Sequence, residues 1–425
     1  MHIGNRIQIL RNHRGLTLKE AAETVTSTSY LAKIEEGNHP PRPHVLSALE
    51  TQLGVSEGFL VNYSKRDEDA EYLLKILQSN IVLHPDKAKE IIEVIEENYY
   101  EYLSPIPLEA TYLCLKCAYY FKMGDTQSAI DIYETHITKY IDETELKSYP
   151  KLVRESFNYM MSLKTFSESR IKESTHYMEM FVDSVDHGPA KGAVIYNIAL
   201  LYGMLNLNHK AIQFALRAKA LFEHTKKYDM ESCKTNNLLA AQYMTIKQYE
   251  EAMNFLDRAE KIAEIYNYSN LLSRIYHNKG LIHKNKENYD LAVKYLESSL
   301  ELKKQTKNED LWLTYKALMD SYLLDENKQS ADKLYGQLLN ELPKELESTH
   351  FLYIYFINYI LKYKKEDEHI LLDSIQYLES KKRYDSLKGV YKVLGDHYLE
   401  ENNFKLASKY YKQELSHIDF EGGIE

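Results

Sequence analysis

The sequence predicts an all-α protein in which a small domain of short helices precedes a long array of helix pairs. The 425 residues include only 15 Gly and 9 Pro, far fewer than a turn-rich all-β chain of this length needs. A pattern of about 40 residues recurs between residues 88 and 407. The content of 44% hydrophobic and 27% charged residues suits a large buried core and argues against extended disorder.

Charge, cysteine content and hydropathy exclude several classes of protein. The net charge of −10 disfavours a protein that coats nucleic acid, although residues 1–63 are neutral, with 6 Lys+Arg against 6 Asp+Glu. Three cysteines are too few for a disulfide framework. The first residues, MHIGNRIQIL, lack a secretory signal, and the most apolar run, residues 351–361, is too short to span a bilayer. We therefore expect a cytoplasmic protein without membrane contact, and a buried helix at residues 351–361.

Residues 1–63 predict five short helices that are separated by Gly and Pro. The predicted helices are residues 3–14, 18–25, 29–37, 42–54 and 56–60. Thr17 and Glu20 fit a capping box at the start of the second helix, and the third helix is expected from near Ser27 to Gly37. A helix, a short turn and a second helix form the unit that places its second helix in the major groove of DNA.

Three sequence strings in this domain, GLT at 15–17, SYLAKIEEG at 29–37 and LGV at 53–55, resemble the Cro/C1-type (XRE) helix-turn-helix domain. Leu18 departs from that family, which usually has a Gln there that contacts DNA. If the third helix enters the groove, base edges and phosphates are expected to meet the side chains of Thr28, Ser29, Tyr30 and Lys33. The candidates for phosphate contacts outside this helix are Lys19, Arg14 and Arg42.

A neutral DNA-binding domain has weak nonspecific affinity, so binding should need two copies. We therefore expect a homodimer on a double-stranded DNA operator with two half-sites. The alternative is that residues 1–63 mediate protein contacts only.

After a charged linker at residues 64–71, the predicted repeat domain covers residues 72–425. Small residues mark the repeats: Ala88, Ala129, Ala211, Ala252, Ala292, Ala331 and Ala407. Twelve residues before five of these alanines there is a second small residue: Cys117, Ala199, Ala240, Gly280 and Gly395. Two small positions per unit allow two antiparallel helices to pack closely. The wider gaps predict weaker units near Ile171 and Leu371.

This pattern resembles the tetratricopeptide repeat, with a period longer than usual. The resemblance implies a right-handed superhelix of about nine helical hairpins that binds extended ligands on its concave face and also mediates oligomerisation. Most of the 37 tyrosines are expected to pack between helices with the hydroxyl at the rim.

Asparagines recur in the helices that are expected to line the concave face: Asn158, Asn197, Asn237, Asn278 and Asn358. An asparagine amide offers donors and an acceptor together, so a row of them can hold an extended peptide by its backbone. The alternative is that each one caps or bridges adjacent helices. Arg154, Arg274 and Lys279 are candidates to meet a peptide carboxylate.

The two parts together resemble the Gram-positive peptide-responsive quorum-sensing regulators of the RRNPP group. The string TSTSYLAKIEEG at residues 26–37 is most similar to the NprR/PlcR branch. This resemblance implies a cytoplasmic transcriptional regulator whose DNA binding is controlled by a short linear signalling peptide, in a homodimer or tetramer. It also implies an alternative, a scaffold that sequesters a signalling protein such as a response regulator of the sporulation relay, with little or no DNA binding.

Motifs of enzymes are absent from the sequence, including phosphate-binding loops, zinc-protease helices and nucleophile elbows. Cys114 and Cys117 form a C-x-x-C without a second pair, and Cys117 occupies a small-residue position of its repeat. We therefore expect no enzymatic activity, no catalytic or metal site and no cofactor.

Overall fold

The computed structural model of the protein describes residues 2–63, 65, 67–99, 103, 105–183, 185, 188–223, 226–307, 311–341, 346–381, 387 and 389–418. These residues form helices and turns without a strand, so the predicted all-α class, with helix-turn-helix and tetratricopeptide-like parts, is confirmed. The chain divides into two compact units, residues 1–224 and 225–425. The predicted domain boundaries at 63 and 72 follow sequence similarity rather than compactness and stay a prediction.

The helix-turn-helix part of the first unit contains the helices α1 (Ile3–His13), α2 (Leu18–Ala22), α3 (Thr28–Glu35) and α4 (Pro43–Leu53). The predicted fifth helix, residues 56–60, is instead a series of turns. Gly58 has a φ of +84°, which interrupts a helix. The Glu50 carboxylate accepts the backbone N–H groups of Gly58, Leu60 and Val61 in place of helical carbonyls.

The predicted capping box at α2 is confirmed. The Thr17 N–H donates to the Glu20 carboxylate at 2.7 Å, and the Glu20 N–H donates to the Thr17 hydroxyl at 3.2 Å. The helix α3 begins after Ser27, whose hydroxyl accepts the Tyr30 N–H at 3.2 Å. Leu31 and Ile34 are buried beneath α3, which leaves its opposite side for contact with a partner.

Among the described residues, the first unit continues with four hairpins, numbered 1 to 4, which pair α5 (Glu68–Leu83) with α6 (Pro85–Tyr99), α7 (Ile106–Met123) with α8 (Thr126–Ile132), α10 (Lys151–Ser167) with α11 (Ile171–Val182), and α12 (Pro189–Met204) with α13 (Asn208–Phe222). A π-helical turn, Tyr133–Ile137, extends α8 and leads into the short helix α9 (Thr138–Tyr140). A 3-10 helix, Glu143–Ser148, precedes α10.

In the described part of the second unit, hairpins 5 to 9 pair α14 (Asp229–Thr245) with α15 (Tyr249–Ile265), α16 (Ser269–Asn285) with α17 (Tyr289–Gln305), α18 (Leu311–Leu324) with α19 (Lys328–Glu341), α20 (Leu346–Tyr355) and α21 (Ile357–Tyr363) with α22 (Glu368–Ser380), and α23 (Val390–Glu400) with α24 (Phe404–Ile418). The run at 351–361, predicted as one buried helix, is largely buried but is divided between α20 and α21 at Phe356. None of the described helices is long and apolar enough to cross a membrane.

The paired small residues lie where the two helices of a hairpin touch. All seven repeat alanines are at most 2% exposed. In hairpin 2 the Cys117 thiol donates to the Ala129 carbonyl at 3.2 Å, which places the two predicted small positions in direct contact. Three residues beyond each of four small pairs, two aromatic rings meet: Tyr202 and Phe214 at 5.3 Å, Tyr243 and Phe255 at 5.5 Å, His283 and Tyr295 at 5.4 Å, and Tyr398 and Tyr410 at 5.6 Å.

Hairpin 3, predicted only as a weak unit near Ile171, uses serines at the same two positions. Ser162 and Ser174 are twelve residues apart and almost fully buried. The Ser162 hydroxyl donates to the Ser174 carbonyl at 3.0 Å, and the Ser174 hydroxyl donates to the Ser162 carbonyl at 2.9 Å. These reciprocal bonds join α10 and α11 at the two positions that small residues occupy in other hairpins.

Several tyrosines pack between helices, as predicted, and direct the hydroxyl to a carboxylate, which was not predicted. Examples are Tyr112 with Glu96 at 2.6 Å, Tyr335 with Asp367 at 2.8 Å and Tyr391 with Glu379 at 2.5 Å. Part of the acidic excess of the chain therefore serves to bond tyrosines across helix interfaces.

Candidate nucleic-acid interface and asparagine row

The exposed side of α3 carries most of the predicted DNA contacts. Thr28, Ser29 and Lys33 are exposed, and the Ser29 hydroxyl lies 3.3 Å from the Ser27 hydroxyl. Tyr30 is half-buried, with its hydroxyl 3.5 Å from the Pro40 carbonyl and its ring 6.2 Å from the ring of His39. The structure therefore brings Thr28, Ser29 and Lys33 together on one surface, whereas Tyr30 also supports the loop that follows α3.

The predicted phosphate contacts lie outside α3. Lys19 on α2 and Arg42, which directly precedes α4, are exposed. Arg14 is exposed as well, and its Nε donates to the Leu53 carbonyl at 3.2 Å, so that it joins the ends of α1 and α4. Arg14 therefore has a structural contact in addition to its predicted role.

A buried ion pair positions α3 and was not predicted from the sequence. Arg11 of α1 forms a two-pronged contact with Glu35, the last residue of α3, with Nε to Oε1 at 2.7 Å and Nη2 to Oε2 at 2.8 Å. Arg11 also donates to the Leu16 carbonyl at 2.8 Å. Such bidentate pairs fix orientation. The two residues are 24 positions apart, so no local spacing indicates the pair.

Two members of the asparagine row bond each other in the second unit. The Asn278 side chain, on α16, donates through Nδ2 to Oδ1 of Asn237, on α14, at 2.9 Å. Both side chains are half-buried. Within the described part of the chain, this bond leaves Nδ2 of Asn237 and Oδ1 of Asn278 without a protein partner. The pair thus presents a donor and an acceptor side by side, which matches the two groups of a peptide bond.

The other three asparagines have different surroundings. In the first unit, Asn158 is 5% exposed and its Oδ1 has no hydrogen-bond partner among the described residues, while Asn197 is half-buried. In the second unit, Asn358 is exposed and hydrogen-bonds the half-buried carboxylate of Asp320. The structure therefore brings together Asn237 and Asn278 directly and places Asn358 beside a carboxylate that the sequence did not single out.

The first helices of successive hairpins, here called leading helices, also exchange other polar contacts in the second unit. His277 of α16 lies with Nδ1 2.9 Å from the Thr314 hydroxyl of α18. Burial, together with Lys303 and Lys284, lowers the pKa of His277 to about 3. Lys284 of α16 lies 3.9 Å from the Asp320 carboxylate of α18. Burial raises the pKa of Asp320, and Lys284, Lys316 and Asn358 oppose that rise.

Lys279, a predicted candidate for a peptide carboxylate, is occupied within the protein. It is 3% exposed, and its Nζ contacts Asp257 and Glu260 of α15 at 2.6 Å each. A lysine that is neutralised by two carboxylates has little charge left for a ligand. Lys279 therefore joins hairpins 5 and 6 rather than facing a peptide.

A cavity of about 600 Å³ lies in the first unit. Its lining includes Glu71, Lys75, Lys151 and Glu155 and none of the five asparagines. These charges pair with each other, Lys75 with Glu71 at 3.0 Å and Lys151 with Glu155 at 3.5 Å. We therefore do not assign the peptide to this cavity.

Comparison with known proteins relates both parts of the chain to described families. Residues 7–60 match the family described as Helix-turn-helix, and residues 231–305 match the family described as Tetratricopeptide repeat. The transcriptional activator NprA of Geobacillus stearothermophilus is 23% identical over 407 residues, covering 92% of this chain and 97% of that protein. The resemblance to the RRNPP regulators is confirmed.

The chain is also similar to one solved structure and to a second relative. The solved structure of NprR in complex with its cognate peptide NprX is 21% identical, with a TM-score of 0.60 over 84% of this chain and 99% of that chain. This likeness shows that the fold is shared. Response regulator aspartate phosphatase I of Bacillus subtilis (strain 168) is 19% identical over 302 residues, covering 70% of this chain and 75% of that protein.

Proposed function

We propose that the chain is a transcription regulator whose binding to a double-stranded DNA operator is controlled by a short linear signalling peptide. Thr28, Ser29 and Lys33 read the operator in this proposal, with Tyr30 beside them. Lys19, Arg14 and Arg42 contact phosphates. The similarity to the transcriptional activator NprA over most of both chains supports the regulatory role. We further propose a cytoplasmic homodimer. A single neutral helix-turn-helix domain binds DNA weakly, and two copies on one operator bind more tightly.

The main support for peptide binding is the hydrogen-bonded pair of Asn237 and Asn278. Because one amide oxygen and one amide nitrogen bond each other, the remaining nitrogen and oxygen are held in place before a ligand arrives. Groups held in advance lose little conformational entropy on binding. An extended peptide can accept from Asn237 and donate to Asn278 with its backbone, and the side chains around them then select the sequence. The solved complex of NprR with its cognate peptide NprX has the same fold and supports a peptide as the partner.

The remaining asparagines have supporting positions in the proposal. Asn358 lies on a leading helix of the same unit as the pair and is exposed, so it can extend the contact with a peptide. Asn197 lies on a leading helix of the first unit and is half-buried, so it is a separate candidate contact. Asn158 is buried with an unbonded oxygen, and a ligand reaches it only if α10 or its neighbours move.

The DNA half of the proposal is tested by replacing Lys33 and Ser29 together with alanine. Both side chains are exposed, so the fold should be unchanged and binding to the promoter region of the chain's own gene should be lost in a gel-shift assay. Lys89→Ala is the matched control, since Lys89 is an exposed lysine of hairpin 1. Equal binding by the double variant and the control would contradict the assignment of α3.

A second candidate function is a scaffold that sequesters a response regulator. The relative named response regulator aspartate phosphatase I favours it, because that protein matches 70% of this chain. Under this alternative, replacing Lys33 and Ser29 leaves the regulatory output unchanged. Loss of output in the double variant, with loss of DNA binding, decides for the transcription regulator.

A further inference from the structure

The helix-turn-helix part meets the repeats through a buried cluster of polar side chains. Arg6 of α1, Glu109 of α7 and Tyr140 of α9 are each at most 2% exposed. The Arg6 guanidinium donates to the Glu109 carboxylate and to the Leu103 carbonyl. The Tyr140 hydroxyl donates to the other oxygen of Glu109 at 2.5 Å. The helix α1 is thus bonded to hairpin 2 by a charged pair that is shielded from water.

Two neighbouring features support the same interface. The Asn5 side chain donates to the Lys139 carbonyl at 2.8 Å, one residue before Tyr140. The π-helical turn Tyr133–Ile137 immediately precedes the helix that contains both residues. One extra residue in a turn rotates the succeeding residues by about 100° relative to a regular α-helix. The irregular turn therefore determines which face of α9 meets α1.

The energetics of this cluster favour a role in orientation over a role in stability. A buried ion pair contributes little net stability, because the cost of removing both charges from water offsets their attraction. Within the described part of the chain, Nε and Nη1 of Arg6 are buried without a hydrogen-bond partner, which adds to that cost. Breaking the pair on one side is nevertheless strongly unfavourable, since it leaves the other charge buried alone. Such a contact permits one arrangement and penalises the others.

We propose that Arg6, Glu109 and Tyr140 form a docking joint that holds the helix-turn-helix part in one orientation on hairpin 2 and so sets the spacing of operator half-sites that the protein accepts. The three residues are positioning residues and touch no DNA. The orientation is a property of the chain alone, whereas the consequence for half-site spacing rests on the proposed DNA binding. A change in hairpin 2 can reach α3 through α1, because Arg11 of α1 also holds Glu35.

The orientation is tested by amide hydrogen exchange of the full chain without DNA or peptide. Glu109→Gln alters the repeat side of the joint, so a change in α1 reports on docking rather than on a local defect. We expect residues 3–13 to exchange about 10-fold faster or more, while residues 43–53 of α4 keep their wild-type rate. Glu173→Gln is the matched control, because Glu173 pairs with Arg170 on an exposed surface of the same unit.

A rescue variant distinguishes a specific pair from general damage. Replacing Arg6 by Met and Glu109 by Leu together removes both charges and keeps apolar volume, so slow exchange of residues 3–13 should return. If Glu109→Gln unfolds the unit as a whole, Tyr140→Phe replaces it and should accelerate the exchange of α1 alone. The docking joint is contradicted if neither single variant changes α1 relative to the control, or if the charge-free double variant exchanges as fast as Glu109→Gln.

The consequence for DNA is tested with promoter duplexes in which the two half-sites are moved apart by a few base pairs. The wild type should prefer the native spacing by about 10-fold or more, and Glu109→Gln should lose that preference while its affinity for one half-site is kept. Equal spacing preference in both proteins overturns this part. If the wild type forms no DNA complex at all, the proposed function is overturned instead. The hydrogen-exchange experiment then still tests the docking joint.

Discussion

His277 shows how the array uses a titratable side chain as a neutral packing element. Its imidazole bonds Thr314 across two leading helices, and burial with nearby Lys303 and Lys284 lowers its pKa to about 3. The ordinary value is 6.5, so the folded protein strongly favours the uncharged ring. Its contribution to stability is therefore fully present above about pH 6.5 and decreases as the pH falls towards 3.

We predict that the second unit loses about 2 to 3 kcal/mol of stability between pH 7.5 and pH 4.5 through His277 alone. The single tryptophan, Trp312, lies in α18 beside Thr314 and reports local unfolding in urea. His277→Gln should lower stability at pH 7.5 but show a smaller loss on acidification than the wild type. Asp320 acts in the opposite sense, because its raised pKa favours the folded state on protonation, but both proteins share it.

His369→Gln provides the comparison, since His369 is an exposed histidine of the same unit. Its pH dependence should match that of the wild type. Equal losses on acidification in wild type and His277→Gln would show that His277 is not a buried neutral group.

At the scale of helices, hairpin packing depends on a small residue where the two helices of a hairpin touch. A Cβ atom on Gly280 of α16 would lie 2.6 Å from Cγ of Leu296 and 3.3 Å from the carbonyl of Ala292. A Cβ atom on Gly336 of α19 would have no neighbour within 4 Å. These two helical glycines of the second unit therefore differ in the space around them.

We predict that Gly280→Ala destabilises the second unit by about 1 to 3 kcal/mol, because α16 and α17 must separate. Gly336→Ala should stabilise it by about 0.5 to 1 kcal/mol, since alanine restricts the unfolded chain and favours the helix. Urea unfolding monitored by Trp312 fluorescence measures both. Destabilisation by both variants to the same extent would show that close contact between helices does not distinguish the two sites.

Small-residue spacing predicted most of this hairpin architecture, and its failures have physical reasons. Ser162 and Ser174 occupy the small positions of hairpin 3, but a search for alanines passes over them although serine is nearly as small. The fifth helix of the N-terminal part failed because Glu50 satisfies the N–H groups after Gly58, a contact over eight or more residues that local patterns do not reveal. Periodicity also cannot locate the division of the 351–361 run at Phe356.

For the candidate site residues, the sequence predicted the helices on which they lie but not their partners. The recurrence of asparagines correctly indicated leading helices, but the bond between Asn237 and Asn278 and the occupied state of Lys279 depend on contacts between residues 19 to 41 positions apart. The buried pairs of Arg6 with Glu109 and Arg11 with Glu35 are equally invisible in the sequence. Composition reveals available charges, and only the fold reveals which of them already have partners.

At the scale of the molecule, the acidic chain should bind DNA through few phosphate contacts. Residues 1–63 are neutral, and the four basic candidates are Arg14, Lys19, Lys33 and Arg42. If each of these four side chains contacts one phosphate, a plot of the logarithm of the association constant against the logarithm of the salt concentration should have a slope of about −3.6 for each helix-turn-helix domain. For a dimer the slope should be about −7. Lys33→Ala should make this slope less negative by about 0.9 for each helix-turn-helix domain.

Fluorescence anisotropy of labelled promoter DNA at a series of salt concentrations measures these slopes. The exposed control Lys89→Ala should retain the wild-type slope. If Lys33→Ala and Lys89→Ala change the slope equally, Lys33 does not contact DNA and the contact lies elsewhere on the surface.

In the proposed function, a peptide bound on the leading helices controls the DNA affinity of α3. The direct test titrates labelled promoter DNA with the full chain, with and without synthetic peptides taken from short secreted peptides encoded beside the gene. We predict that one peptide changes the DNA affinity of the wild type about 10-fold, which is within the usual range of coupling between sites. The same peptide should leave the affinity of a variant with Asn237→Ala and Asn278→Ala unchanged, while thermal stability stays near that of the wild type. An equal peptide effect in wild type and variant, or no peptide effect in either, would contradict control of DNA binding by a peptide at Asn237 and Asn278.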